Sequence, residues 1–320
     1  MTKKQYLFSF ILATLSFIAA RSLEKIGVQR FYVDKASQFV KEDGYFDLEH
    51  PNSIVPLPMG NMPLSDLTLL DSTQMFCIQS STGGVVIYDL DSNKISASLS
   101  LGIQEVIRDI VVVDSSLLLF DENMSVYRSY APFDSLHTTQ LTKGNTSWKS
   151  ASICHHAMTH RLFIVGSVDN LEQTERFVYT YNLNNTKFQE EPLFQFDVSA
   201  LETFAQTNNI KINTFKVNAM QDTVLGFNFI PTAIAVHPKT NDIYILSSID
   251  RTLAVFNHFG ELVNLAVLEP RQFPVPSGMV FNAQGDLYIS NNDLMNNSMV
   301  KVMWNKLFQK KSGHGLIFGR

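Results

Sequence analysis

Four residues of metal-ligating type fall close together, Cys154, His155, His156 and His160. His156 and His160 are four apart, a spacing that would put both imidazoles on one face of a helix. The flanking pattern argues otherwise. An apolar run, Ala151–Cys154, leads into the group, and Ala157–Thr159 reads as the tip of a β-turn. Zinc needs three or four converging ligands. The expectation is therefore a surface hairpin, with a metal site as its rival. The acidic pairs Asp121-Glu122 and Glu190-Glu191 sit in turn-like stretches and read as solvated surface. No G-x-S-x-G nucleophile motif and no phosphate-cradling glycine loop is present, and Ser277-Gly278 has no partner base in the sequence. Lys306, Lys310, Lys311 and Arg320 gather near the end of the chain, where a frayed terminus is expected. A contact with an acidic partner or an anionic membrane is the alternative there. The net charge of −5 leaves no basic footprint for nucleic acid.

Any such side chains need elements to hold them. The chain has 320 residues, 45% hydrophobic and 17% charged, a balance that suits a folded globular protein. Lys3 and Lys4 precede an apolar run from Tyr6 to Ala20, followed by Arg21 and Ser22. A basic start, a short apolar core and small residues describe an export signal. The run falls short of the roughly 20 apolar residues of a spanning helix, so cleavage after Ala20 is expected, with an uncleaved tether through residues 6–20 as the alternative. Cys77 and Cys154 are the only cysteines, both inside apolar runs, and read as buried free thiols.

Short runs of β-branched and aromatic residues recur between turn residues, and helical periodicity is scarce. Ser199–Gln206 is the best helix candidate, with Ser199 as its cap and Glu202 completing a capping box. Residues 21–42 are a second candidate. The clearest repeat starts at Pro231 and reads as strands Ala233–Val236, Asp242–Ser247, Thr252–Asn257 and Leu262–Val267. Four short antiparallel strands in about forty residues make one propeller blade. A second copy starts at Pro276, in which Gly285-Asp286-Leu287-Tyr288-Ile289 matches Asn241-Asp242-Ile243-Tyr244-Ile245. Asn-Asp and Gly-Asp supply the positive backbone angles of tight hairpins. Weaker copies start near Leu64, at Ile107 and at Trp148, the last with a longer loop at Ser167–Thr174. The expected fold is all-β: a single β-propeller of five four-stranded blades, following an N-terminal signal or anchor helix. A sixth blade within 21–50 or 200–230 is the alternative. The last blade shows three strands, and Ser53–Pro58 is expected to supply the fourth and close the ring. The boundaries are 1–20 for the signal or anchor, 21–44 for a linker, 45–305 for the propeller and 306–320 for a tail.

Tyr45-Phe46-Asp47-Leu48 before Pro51, Leu57-Pro58, Ile87-Tyr88-Asp89-Leu90, Pro231–Tyr244 and Gly285–Asn291 form a recurring set across residues 45–304. In these residues the repeats resemble the bacterial SdiA-regulated family, exported propellers related to NHL-repeat proteins. It implies a ligand- or protein-binding platform, and through calcium-dependent hydrolases among propeller relatives it offers one route to an enzyme. Family members open several blades with an acid–glycine pair aimed at the channel. Here those acid positions align with Pro63, Arg108, Ala151 and Ser277, the acid after the last strand is Asn292, and the glycine survives as Gly278. Calcium wants six to eight oxygen ligands, so this departure makes a retained calcium centre unexpected.

The leading expectation is an exported, monomeric, non-catalytic binding propeller of the periplasm, cell envelope or extracellular space. Its partner would be a protein, a small molecule or a glycan. The binding face would be a channel mouth near Arg108, Lys149, Ser277, Asn291, Asn292 and Asp293, with no catalytic residue, metal or cofactor assigned. Asp293 could donate one carboxylate to an ion, whereas an Asx-rich loop needs none. The rival is a calcium-dependent esterase or lactonase using Asp66, Asp109, Asn291 and Asp293. It requires Asp66 and Asp109 to point inward, which a one-residue register slip would decide.

Overall fold

The structure is a computed structural model. It describes residues 38–41, 44–57, 64–79, 82–144, 150–166, 173–217, 222–293 and 297–305. The signal or anchor (1–20), most of the linker, Pro63, Trp148, Lys149 and the tail (306–320) lie outside the described residues. Among the described residues no helix is long and apolar enough to cross a membrane.

Turn chemistry sets the strand lengths. Asp71 Oδ1 accepts the amides of Thr73 and Gln74, Asp89 Oδ1 accepts Ser92 N, and Asn257 Oδ1 accepts Phe259 N. Each Asx turn reverses the chain where an apolar run ends. Asn241 (φ 57°) and Gly285 (φ 89°) take the left-handed conformation at the matching hairpins of the two clearest repeats. At Gly285 a Cβ would lie 2.8 Å from His237 Nε2, so glycine is needed there for space as well as for φ.

A hairpin of β1 (Gln38–Lys41) and β2 (Gly44–Asp47) comes first, then β3 (Ser53–Pro56). Blade 1 is β4 (Leu64–Leu69), β5 (Gln74–Gln79), β6 (Val85–Asp89) and β7 (Lys94–Ser98). Blade 2 is β8 (Ile107–Val113), β9 (Ser116–Asp121), β10 (Val126–Tyr130) and β11 (Thr138–Thr142). Blade 3 is β12 (Ser150–His156), β13 (Arg161–Gly166) and β14 (Glu175–Asn182), whose outer edge is shared by β15 (Lys187–Phe188) and β16 (Phe194–Asp197). Then comes an insertion of helix α1 (Val198–Thr207) and a hairpin, β17 (Phe215–Val217) with β18 (Thr223–Leu225). Blade 4 is β19 (Pro231–Val236), β20 (Ile243–Ser247), β21 (Thr252–Phe256) and β22 (Leu262–Val267). Blade 5 is β23 (Pro276–Phe281), β24 (Leu287–Asn291), β25 (Ser298–Val302) and, as its fourth strand, β3.

Every pairing within the blades is antiparallel, and β3 meets β25 with Val55 opposite Met299. The closing strand is thus the one read from Ser53–Pro58. The ring has five blades. The described residues of 200–230 hold the helix and hairpin of the insertion, and those of 38–47 pair as a hairpin. Strand β1 also corrects the helical reading of 21–42 over residues 38–41, because Gln38–Lys41 pairs with Gly44–Asp47.

Five apolar clusters fill the five interfaces between neighbouring blades. Phe76, Ile78, Ile110 and Leu119 join blades 1 and 2, and Val111, Phe120, Ile153 and Ile164 join 2 and 3. Cys154, Val165, Ile234 and Ile245 join 3 and 4, with Leu201 and Ala205 of α1 beneath. Ala235, Tyr244, Met279 and Ile289 join 4 and 5 around Phe46 and Trp304. Leu67, Met75, Tyr288 and Met299 join 5 back to 1. Second strands β9, β20 and β24 are buried along their whole length, which is why they read as unbroken apolar runs. Closure leaves no blade with an unmatched apolar face.

Helix α1 starts one residue earlier than its sequence signal. Asp197, not Ser199, is the cap, its Oδ1 accepting Ser199 N at 2.7 Å. Glu202 does not complete a capping box. Its Oε1 accepts Phe227 N at 2.9 Å and pairs with Lys216, tying the helix to the hairpin beside it.

Candidate functional site

The inner strand of each blade carries a β-bulge at the same place near its start. The register shifts between Leu64 and Asp66 in β4, Ile107 and Asp109 in β8, Ser150 and Ser152 in β12, Pro231 and Ala233 in β19, and Pro276 and Met279 in β23. Inner strands of successive blades are neighbours around the axis, so the bulges ring one mouth of the channel. Bulges re-aim side chains and recur at barrel rims. The residues set in them are Ser65, Arg108, Ala151, Thr232 and Ser277. None is an acid. In blade 1 the position is Ser65 rather than Pro63, because Leu64 and Asp66 fix the register.

The residue after each bulge has a different task. Asp66 Oδ2 accepts Ile110 N of blade 2 at 3.0 Å. Asp109 accepts Ser150 Oγ at 2.6 Å and the amide of Ile153, both from blade 3. Ser152 Oγ accepts Ile234 N of blade 4 at 3.2 Å. Each side chain thus holds the amide one residue past the equivalent position of the next blade. Ala233 and Gly278 stand at this position in blades 4 and 5, without a side-chain acceptor. At Gly278 a Cβ would lie 3.3 Å from the Leu67 side chain of blade 1, so close approach replaces the polar link there. The relay crosses three successive blade interfaces, and apolar packing fills all five.

Both acids of this relay are buried, Asp66 at 6% and Asp109 at 2% exposure. Burial, and then the charge of Asp109, holds the Asp66 carboxyl well above the usual range. Burial pushes Asp109 up to about 6 against the hydrogen bonds from Ser150 and Ile153. Asp109 Oδ1 has no hydrogen-bond partner. Neither acid opens on the mouth, and neither lies on an outward face. Each is turned to the next blade.

The residues expected at the mouth separate into two groups. Arg108 is half exposed on its bulge, with Nη2 3.6 Å from Glu122 Oε2. Ser277, Asn291, Asn292 and Asp293 lie together at the mouth end of blade 5. Ser277 Oγ is 3.1 Å from Ser290 Oγ. Asn291 is fully buried, its Nδ2 donating to Gln272 O and Ser298 Oγ, each at 3.0 Å. Asn292 N donates to Val275 O at 2.8 Å. Among the described residues no three His, Cys, Asp or Glu side chains stand together closely enough to hold a metal ion as they are.

The cysteine–histidine group lies on a hairpin, as the apolar pattern around it implies. Strand β12 ends at His156, a single 3-10 turn spans Ala157–Thr159, and His160 (φ 49°) leads into β13. Cys77 and Cys154 are buried free thiols.

One buried clamp has no counterpart in the sequence reading. Arg176 donates to Phe229 O at 2.7 Å and Asn228 O at 2.9 Å, while Asp250 accepts Asn228 N at 3.2 Å and Phe229 N at 2.5 Å. The pair grips both sides of the segment that returns the insertion to blade 4. An arginine directly before the aromatic-rich run Phe177–Tyr181 was the available signal.

No protein-family model matches the chain, and no curated protein matches it in sequence. Solved structures do match in fold. The glutaminyl cyclase of Myxococcus xanthus aligns over 81% of this chain and 97% of its own, with 10% identity and a TM-score of 0.53. A gluconolactonase of Xanthomonas campestris aligns over 79% and 89%, with 10% identity and a TM-score of 0.48. The WD40 repeats of RRP9 align over 80% and 99%, with 10% identity and a TM-score of 0.49. The chain is a β-propeller. Its structural neighbours include both enzymes and WD40 repeats, and at such identities the likeness extends to fold alone.

Proposed function

We propose that this propeller is a non-catalytic binding platform, a divergent relative of the SdiA-regulated group, that takes a ligand or protein partner at the mouth ringed by the five bulges. One observation carries the reading. The bulge positions hold Ser65, Arg108, Ala151, Thr232 and Ser277, while the nearby acids Asp66 and Asp109 are spent on links between blades. A hard-cation centre draws on several charged oxygens, and these positions offer none. What they offer is one guanidinium and hydroxyls, with Asn292 and Asp293 following the adjacent strand of blade 5. That set suits a neutral, hydroxyl-bearing or anionic ligand, such as a glycan or the acidic surface of a protein. The chain's basic, apolar N-terminal stretch supports export, to the periplasm, envelope or outside.

A calcium titration of the purified protein, read as melting temperature, tests the reading against the hydrolase alternative. A ligand that binds only the folded state at a hundred times its dissociation constant adds roughly 2.7 kcal/mol. No shift is expected. A clear rise abolished by Asp293→Asn would overturn the proposal and direct attention to ester and lactone substrates. The mouth itself is tested by Arg108→Ala with Asn292→Ala. Intact binding of a partner recovered with the native protein would remove the site from this face.

A further inference from the structure

The strand pleat divides the cysteine–histidine group between two blade interfaces. Successive side chains of β12 point to opposite faces. Ile153 belongs to the core between blades 2 and 3, and Cys154 to that between blades 3 and 4. His155 follows Ile153 and faces blade 2, where the charge of Asp114 and the ring of His160 act on it. His156 follows Cys154 and faces blade 4, stacked on Phe163 at 4.6 Å with Nδ1 2.7 Å from Thr159 Oγ1.

Three metal-ligating side chains therefore gather at the adjoining tips of two inner hairpins, on the face opposite the bulges. Asp114 begins the β8–β9 turn, with φ 46°. Its Oδ2 lies 3.9 Å from His160 Nδ1. The rings of His155 and His160 meet edge to face with centroids 6.0 Å apart. His155 Nε2 is buried without a hydrogen-bond partner, and an unsatisfied buried nitrogen calls for an explanation.

We propose that Asp114, His155 and His160 bind a divalent transition-metal ion of the zinc class, bridging blades 2 and 3. Tetrahedral zinc with bonds of about 2.1 Å would set carboxylate oxygen and imidazole nitrogen about 3.4 Å apart and the two ring centroids about 5.3 Å apart. The gaps of 3.9 Å and 6.0 Å must each close by under 1 Å. Asp114 and His160 have side chains 74% and 40% exposed on turn tips, free to make that movement. Imidazole with one carboxylate favours zinc, nickel or copper over calcium or magnesium. Three protein ligands leave a fourth position for water or an outside donor. This inference is independent of the binding mouth on the opposite face.

The test uses the full chain with zinc chloride in calorimetry, and with cobalt(II) as a spectroscopic probe. One zinc per chain is expected, with visible cobalt bands of tetrahedral intensity. Asp114→Asn and His160→Gln alter exposed side chains and should weaken binding about tenfold or more each, while His156→Gln leaves it unchanged. His155→Gln should abolish it. Absence of zinc binding, or binding that survives Asp114→Asn together with His160→Gln, overturns the proposal.

Discussion

Replacing Asp109 by asparagine should flatten the pH dependence of stability. In the folded protein the Asp109 carboxyl is pushed up to about 6 by burial, from an ordinary 3.8. A shift of about 2 units corresponds to roughly 3 kcal/mol of preference for the protonated form. Because the folded pKa is raised, this stability is fully present below pH ~4 and is lost as pH rises through about 6. Between pH 5 and pH 8 the loss is about 1.4 kcal/mol, or some 3–5 °C in melting temperature. Asparagine has nearly the same shape. Its oxygen can accept Ile153 N, and its amide can donate to Ser150 Oγ, whose hydroxyl turns to accept. Removing the charge also relieves Asp66, which Asp109 pushes in the same direction. Burial depresses His155 and His156, whose contribution falls as pH drops, opposite in sign. Both proteins contain them, so they cancel in the difference. The assay is urea unfolding of native and Asp109→Asn protein at pH 5, 6, 7 and 8. The variant should be the more stable at pH 8, with a shallower decline. Parallel curves for the two proteins would refute the buried-acid account of the relay.

Three further outcomes follow from the geometry. Asp250→Ala leaves Asn228 N and Phe229 N without their acceptor and removes one of the two carboxylates, Asp197 and Asp250, that act on the buried Arg176; a loss of about 2–4 kcal/mol is expected in denaturant unfolding. Val55→Pro disrupts the strand that closes blade 5 against Met299; it should cost about 3 kcal/mol or more and, by baring the edge of β25, promote aggregation visible in light scattering. Cys77 is fully buried and Cys154 nearly so, and burial pushes both thiols upward. Neither should react with a thiol reagent at pH 8 in the native protein, and both should react at once in denaturant; native labelling of either would contradict the packing between blades.

The sequence by itself determined the local pattern and, through it, the architecture. Asn241-Asp242 and Gly285-Asp286 mark hairpins because few residues tolerate positive φ. The runs between them have the length and composition of short strands. Four such strands per repeat leave the last blade one short, and the extended stretch Ser53–Pro58 precedes the first repeat and can supply it. Helix α1 was visible too, though its cap was misread, because Asp197 and Ser199 are both competent caps and only the path of the preceding strand selects between them. What the tertiary structure alone decided is which side chains meet. Asp66 reaches Ile110, Ser152 reaches Ile234 and Arg176 reaches Phe229 across separations of 44, 82 and 53 residues. The pleat parts His155 from its neighbour His156 and brings it to Asp114 instead. The bulges turn Arg108 to the mouth and Asp109 to the next blade. A one-residue change of register would exchange those two roles, and register is fixed by the packing of whole sheets against one another rather than by any short stretch of the chain.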